Sequence, residues 1–311
     1  MSGTISFHTG TRAARRQRYT LMTMKLRPKK HLGQHFLYNP AISGRIVDAA
    51  GLNSGSVVVE LGAGRGILTR PLAATGARVI ALELDRDLMA ELGSIFHGAA
   101  SEDAGEERPL AELNGDRVEI LNADFTKLSL TGLLVSRGYE QCTLFGNIPY
   151  HLTRHVLFSF LIDEVEMITG AYLMVQREVG ERIVSGPGSK VYGIPSVVLQ
   201  CLYDAKALFR VAPGSFYPPP RVDSIVLEFI PKANPLVRTN DLRRFTQFVK
   251  NVFQQRRKTL NNSLKAFYSM SEDMLRDLQT ATSIDLQNRP EALAKEELLK
   301  LFETIDEVAK V

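Results

Sequence analysis

The sequence predicts an α/β protein, a doubly wound sheet followed by a small C-terminal all-helical domain. Three observations predict it. The apolar run Val57-Val58-Val59-Glu60-Leu61 leads directly into a glycine-rich turn that ends at Gly66. A second apolar run, Val79-Ile80-Ala81-Leu82-Glu83, follows after one helix length of chain, which is the opening of a parallel βαβ arrangement. From Asp241 onwards Phe245, Phe248, Val249, Val252 and Phe253 recur at helical spacing, and the pattern to the C-terminus stays helical.

Each element follows from its local pattern. Val57 to Leu61 reads as a buried strand, and the helix after the turn is expected from about Ile67 to Ala74, stopping at Gly76. Val79 to Glu83 is the second strand. Later strands are expected at Val118 to Leu121, Cys142 to Gly146 and Ala171 to Gln176, with a last one at Ser224 to Ile230. Between Phe96 and Asn114 the small, polar, acidic stretch Gly98 to Glu107 reads as a mobile surface insertion, about residues 97–114 in all. Ala212 to Pro220 is turn-rich, and Pro231 to Pro235 reads as a linker. The expected division is therefore a basic extension over 1–27, an α/β domain over 28–232 and a helical domain over 236–311.

With 311 residues and 44% hydrophobic content the chain can bury a proper core. Its longest strongly apolar stretches, such as Val156 to Ile162, fall far short of the roughly 20 residues of a membrane span. Cys142 and Cys201 have neither the density of a disulfide scaffold nor the clustering of a metal site, which points to buried thiols in a reducing compartment. The net charge of +4 combines eight Lys or Arg and no acid in residues 1–40 with about −4 over the remainder. The extension, with Arg12, Arg15, Arg16 and Arg18, is read as a disordered segment that touches polyanions. A start codon placed too early, given Met22 and Met24, accounts for it equally, and an organellar transit peptide is the alternative.

The turn reads Glu60-Leu61-Gly62-Ala63-Gly64-Arg65-Gly66. The sixth position of a G-x-G-x-x-G pattern counted from Gly62 is Ile67, so the dinucleotide fingerprint is not met, and no phosphate-loop Lys follows. Gly62 and Gly64 in this setting suit a ligand without a pyrophosphate, such as S-adenosylmethionine; a tight strand-to-helix turn with no ligand is the plain alternative. Glu83 ends the second strand, 21 residues after Gly62, where a carboxylate accepts hydrogen bonds from both ribose hydroxyls of a nucleoside. Asp124, at the end of a later strand, is placed to accept from an adenine amine. Asn147-Ile148-Pro149-Tyr150 follows the fourth sheet strand. The exocyclic amine of a base is a poor nucleophile, because its lone pair is delocalised into the ring, and it needs hydrogen-bond acceptors. The Asn147 side-chain oxygen and the Ile148 carbonyl supply them, Pro149 carries no competing N–H, and Tyr150 offers a face for a flipped base. Phe216 is expected to cover the other face; the alternative is an aromatic tucked into the core. Arg243, Arg244, Lys250, Arg256, Arg257, Lys258 and Lys265 fall within 23 residues that hold no acid, which reads as a phosphate-binding surface. No metal-ligand spacing and no Ser-His-Asp order is found.

These motifs resemble the ribosomal RNA adenine N6-dimethyltransferases, and among them the bacterial small-subunit KsgA family. The resemblance covers about residues 28–305 and rests on Lys30-His31-Leu32-Gly33-Gln34-His35-Phe36-Leu37, the glycine turn, Glu83 to Leu88, Asn122 to Phe125, Asn147 to Tyr150, Phe216 to Ser224 and Gln255 to Leu260. It implies a Rossmann-like class I S-adenosylmethionine-dependent methyltransferase sheet. It also implies a cofactor site lined by His35, Leu37, Gly62, Glu83, Asp124 and Asn147, with His35 standing where the family often has Asn. The implied substrate is the 3'-terminal hairpin of 16S rRNA within the 30S subunit or its precursor. The implied product is N6,N6-dimethyladenosine at two adjacent adenosines, with no metal, and with a cytoplasmic monomer that also serves small-subunit biogenesis. A large-subunit RNA methyltransferase, a DNA adenine methyltransferase and a non-catalytic ribosome-assembly factor are the rival readings.

Overall fold

The computed structural model describes residues 28–29, 33–97, 117–255 and 257–308. The basic extension, Lys30 to Leu32, Gly98 to Asn114 of the acidic insertion, and Arg256 lie outside the described residues. The strands are β1 (Phe36–Leu37), β2 (Val57–Leu61), β3 (Arg78–Glu83), β4 (Val118–Asn122), β5 (Cys142–Asn147), β6 (Ile168–Gln176), β7 (Tyr203–Val211), β8 (Phe216–Tyr217) and β9 (Ser224–Pro231). The main helices are α1 (Pro40–Asp48), α2 (Thr69–Ala74), α3 (Arg86–His97), α4 (Leu130–Val135), α5 (Arg177–Ile183), α6 (Ile194–Leu202), α7 (Thr239–Gln254), α8 (Leu260–Tyr268), α9 (Glu272–Thr282) and α10 (Lys295–Val308).

Seven strands form one sheet in the order β4-β3-β2-β5-β6-β9-β7. The first five run parallel, whereas β9 is antiparallel to both β6 and β7. Alternation along each strand divides the side chains between two helical layers. Val58, Val79, Ala81 and Phe145 pack towards α1, α2 and α3 in one cluster, while Val59, Leu61, Ile80, Leu82 and Leu144 pack into the other. That second cluster runs without interruption through α6 into α7 and on to α10, so Phe245, Phe248 and Phe302 share a core with the sheet.

The strand-to-helix turn needs its glycines. Gly62, Gly64 and Gly66 have φ of +75°, +59° and +74°, and a Cβ on Gly66 would lie 2.8 Å from Leu92 Cδ2. The turn occupies Gly66 and Ile67, so α2 starts at Thr69, two residues later than the spacing suggests. Pro40 at the first turn and the Asn39 side chain, which accepts from the Ala41 amide at 3.1 Å, begin α1.

The strand β7 precedes the one expected to be last. It is a half-exposed edge strand carrying Asp204, Lys206 and Arg210, and a register shift between Ala207 and Phe209 breaks its alternation. The turn-rich segment also contains β8, which pairs with β1 so that Leu37 lies opposite Phe216 and Phe36 opposite Tyr217.

Candidate active site

A cavity of about 260 Å³ opens at the C-terminal ends of β2, β3 and β5, where doubly wound sheets hold their ligands. Gly62 and Gly64 line it together with Glu83, Leu84 and Asp124, with Asn147 to Leu152 and with Gly33 to Leu37. The cradle fits a nucleoside. The Glu83 carboxylate accepts the Gly64 amide at Oε2 and the Asp85 amide at Oε1, both at 2.8 Å, which fixes it at the end of β3. Burial pushes the Glu83 carboxyl above its ordinary range, and the amides of Asp85 and Gly64 oppose that shift. Asp124 takes the Thr126 hydroxyl at 2.6 Å and its amide at 3.0 Å, both on Oδ1, and these bonds hold its carboxyl below the ordinary value. Its Oδ2 has the Lys127 ammonium 3.7 Å away.

Asn147 ends β5 with its Nδ2 donating to the His35 carbonyl at 2.9 Å. That contact orients the amide, so Oδ1 is the end left to face the cavity. The Ile148 amide donates to the Met174 carbonyl at 3.1 Å, which ties the turn to β6. Pro149 begins a 3₁₀ turn, Tyr150–Leu152, followed by the π turn Val156–Phe160. The Tyr150 hydroxyl meets the fully buried Ser224 hydroxyl at 3.0 Å, and burial raises its pKa above the ordinary tyrosine value.

The ring over Tyr150 is His35, not Phe216. The His35 and Tyr150 ring centroids are 5.9 Å apart at 28°, and His35 Nδ1 lies 2.7 Å from the Pro218 carbonyl, so Nδ1 carries the proton. Phe216 is 3% exposed, packed with Leu37 in the core beneath the β1–β8 pair, and does not line the cavity. The pairing turns Tyr217 outward instead. Leu37 does line the cavity, with its side chain in the same core.

Four residues at the site escaped the sequence reading although all lie in quoted motifs. Leu84, a cavity-lining leucine that is 47% exposed, supplies an apolar face beside Glu83. Gln34 and Asp85 hydrogen-bond to each other across the cavity rim. Glu60 also lines the cavity, and it accepts the Thr69 hydroxyl at 2.6 Å. Burial raises the Glu60 carboxyl to about 8, with the Thr69 bond opposing. In the unfolded chain Glu60 ionises near its ordinary value of 4.5, whereas in the folded protein it keeps its proton to about 8. The folded state therefore binds more protons across that window, and stability falls as pH rises from 4.5 to 8. This group's share is on the order of 4 kcal/mol. Glu60→Gln is expected to flatten that part of the dependence, read as urea midpoints at pH 5 and pH 8.

Of the basic residues, Arg243 and Lys250 lie two turns apart on one face of α7, and Arg257 and Lys258 are exposed just beyond its end. Arg244 turns elsewhere, towards Asp241 and the Phe302 ring. The Lys250 ammonium sits 5.2 Å from the centroid of Phe158, a residue of the π turn, and Arg154 approaches the same ring at 5.7 Å. The cationic surface thus reaches the segment that carries Tyr150. Among the described residues no cluster of His, Cys, Asp and Glu is arranged to hold a metal, and no helix is long and apolar enough to cross a membrane.

The family described as Ribosomal RNA adenine dimethylase matches residues 25–307. Ribosomal RNA small subunit methyltransferase A of Geobacter metallireducens is 36% identical over 277 residues, covering 89% of this chain and 94% of that protein. The protein of the same name from Syntrophotalea carbinolica is 38% identical, covering 91% and 98%. Among solved structures, a dimethyladenosine transferase from Plasmodium falciparum superposes with a TM-score of 0.70 at 24% identity, covering 88% of this chain and 98% of the other. The 23S rRNA methyltransferase ErmE gives 0.65 at 23% identity, covering 87% and 99%. The sheet order, the cradle at its C-terminal edge and these matches agree: the chain belongs to the ribosomal RNA adenine dimethylase family, and its sheet is that of the class I S-adenosylmethionine-dependent methyltransferases.

Proposed function

We propose that this enzyme transfers methyl groups from S-adenosylmethionine to N6 of two adjacent adenosines in the 3'-terminal hairpin of 16S rRNA, giving N6,N6-dimethyladenosine in the 30S subunit or its precursor. The observation that carries it is Asn147, whose Nδ2 is engaged by the His35 carbonyl so that Oδ1 faces the cavity. When bound, S-adenosylmethionine supplies a sulfonium-activated methyl group. Of the lining residues, Glu83 would hold its ribose, Asp124 its adenine amine and Leu84 the face of its base, with Gly62 and Gly64 leaving room for the backbone to approach it. Asn147 Oδ1 and the Ile148 carbonyl accept from the target N6 hydrogens, which concentrates the lone pair on nitrogen and aims it along the methyl axis. Tyr150 carries the flipped adenine, steadied by Ser224. Phe216 shapes the loop from beneath.

We read 28–232 as the catalytic unit and 236–311 as the RNA-binding one, acting as a cytoplasmic monomer with a further part in small-subunit assembly. Arg243, Lys250, Arg257 and Lys258 hold the RNA backbone. Lys250→Gln is expected to weaken 30S binding uniformly and to reduce the slope of log K against log salt by about 0.7 to 0.9, the share of one phosphate contact.

The test is transfer of labelled methyl to unmethylated 30S subunits, with 50S subunits and duplex DNA in parallel and nucleoside analysis of the product. N6,N6-dimethyladenosine confined to the 30S reaction is the expected result. Label in the 50S or DNA reaction would move the chain to another methyltransferase specificity, and tight 30S binding without label would make it an assembly factor.

A further inference from the structure

Gly33 to Leu37 line the cavity and are fastened to Asp85 through Gln34, with Lys29 on the same carboxylate. Lys29 Nζ lies 2.7 Å from Asp85 Oδ1 and 3.0 Å from Asp87 Oδ2. The Gln34 side chain bridges the two ends of the fastening: its Oε1 accepts the Lys29 amide at 2.7 Å, and its Nε2 donates to Asp85 Oδ2 at 3.3 Å. Asp85 is 5% exposed, and its own amide donates to Glu83 Oε1. The residue following Gln34 is His35, whose carbonyl orients Asn147 and whose ring lies over Tyr150. One carboxylate thus stands between the ribose end of the cavity and the segment that aims the catalytic amide.

We propose that Asp85 is a positioning residue that holds the Gly33–Leu37 segment at the cofactor site through Gln34, so that retention of S-adenosylmethionine and alignment of Asn147 depend on the same contact. This rests on the cofactor reading above. The competing explanation is local, because Asp85 also accepts the Asp87 amide at 3.1 Å on Oδ1 and so caps the first turn of α3. The cap and the Lys29 contact share Oδ1, whereas the Gln34 contact is on Oδ2. Asn caps a helix as well as Asp does. Asp85→Asn therefore keeps the cap and a neutral acceptor for Lys29 on Oδ1, with Asp87 still paired to that ammonium, and replaces the Oδ2 acceptor with a donor that meets the Gln34 Nε2 donor.

Labelled S-adenosylmethionine bound to the full chain, chased with S-adenosylhomocysteine, gives its residence time, and steady-state assays on 30S subunits give KM and kcat. For Asp85→Asn the expected result is a residence time about tenfold shorter and a KM for S-adenosylmethionine raised about tenfold, with the melting temperature nearly unchanged. Adding Gln34→Glu reverses the polarity of the one lost hydrogen bond, supplying an acceptor opposite the new donor, and is expected to restore both values. A residence time equal to wild type in Asp85→Asn overturns the proposal. So does a loss that Gln34→Glu leaves unrepaired, which would assign the effect to the Asp85 charge beside Lys29 or to folding. A wild-type chain that retains no S-adenosylmethionine would instead sink the cofactor reading, an outcome visible before either variant is made.

Discussion

Asn147→Ala is expected to lower kcat for methyl transfer by about 10³-fold while leaving 30S binding within a few-fold of wild type. The magnitude is that of removing one preorganised hydrogen-bonding group aimed at the reacting atom. Here the group would align a weak nucleophile in a cavity lined by Gly33 to Leu37 and Tyr150. Asn147→Asp is expected to fail nearly as badly despite its size and acceptor oxygens. It has no hydrogen to give the His35 carbonyl that Asn147 Nδ2 now reaches at 2.9 Å, so an oxygen would face an oxygen and turn the side chain away. Single-turnover assays with saturating S-adenosylmethionine check this, and an Asn147→Ala enzyme with unimpaired turnover would sink the mechanism. Loss of turnover with retained binding also separates catalysis from any assembly role.

Glu83→Gln is expected to weaken S-adenosylmethionine binding by about 100-fold, a larger loss than the conservative shape suggests. Both carboxylate oxygens already accept a backbone amide, from Gly64 and from Asp85. A side-chain amide must set its NH2 against one of those donors, and the buried conflict adds to the lost ribose bond. Isothermal titration with S-adenosylhomocysteine measures it. Affinity within a few-fold of wild type would show that the ribose is held elsewhere.

Much of the site was legible because its parts are local. Gly62, Gly64, Glu83, Asp124 and Asn147 each follow a parallel strand, and a parallel sheet delivers the ends of its strands to one edge whatever the intervening helices do. Phe216 was not legible in that way. Its burial depends on pairing with Leu37, a partner about 180 positions away that nothing in the proline-rich stretch announces. A separation of 112 positions likewise hid the His35 contact with Asn147, although both residues were singled out. The strand β7 escaped because a register shift and three charged residues erase the period of two. The fastening by Asp85 was hidden in plain view, since an acid after a strand reads as an ordinary helix start. The last gap was the core shared by sheet and C-terminal helices: helical spacing gives the apolar stripe on α7 but not the surface it meets.

That shared core has a consequence for substrate choice. Because Phe245 and Phe248 are seated in the same apolar mass as Leu144 and Leu173, the face bearing Arg243 and Lys250 cannot swing independently of the strand that ends at Asn147. The separation between anchored phosphates and the methyl-accepting nitrogen is then set by the protein, like a ruler of fixed length. On the proposed reading, an RNA would be chosen by whether its fold spans that length with an adenosine free to turn out, and a partly assembled particle in which the span is wrong would be refused before its adenosine reaches Asn147.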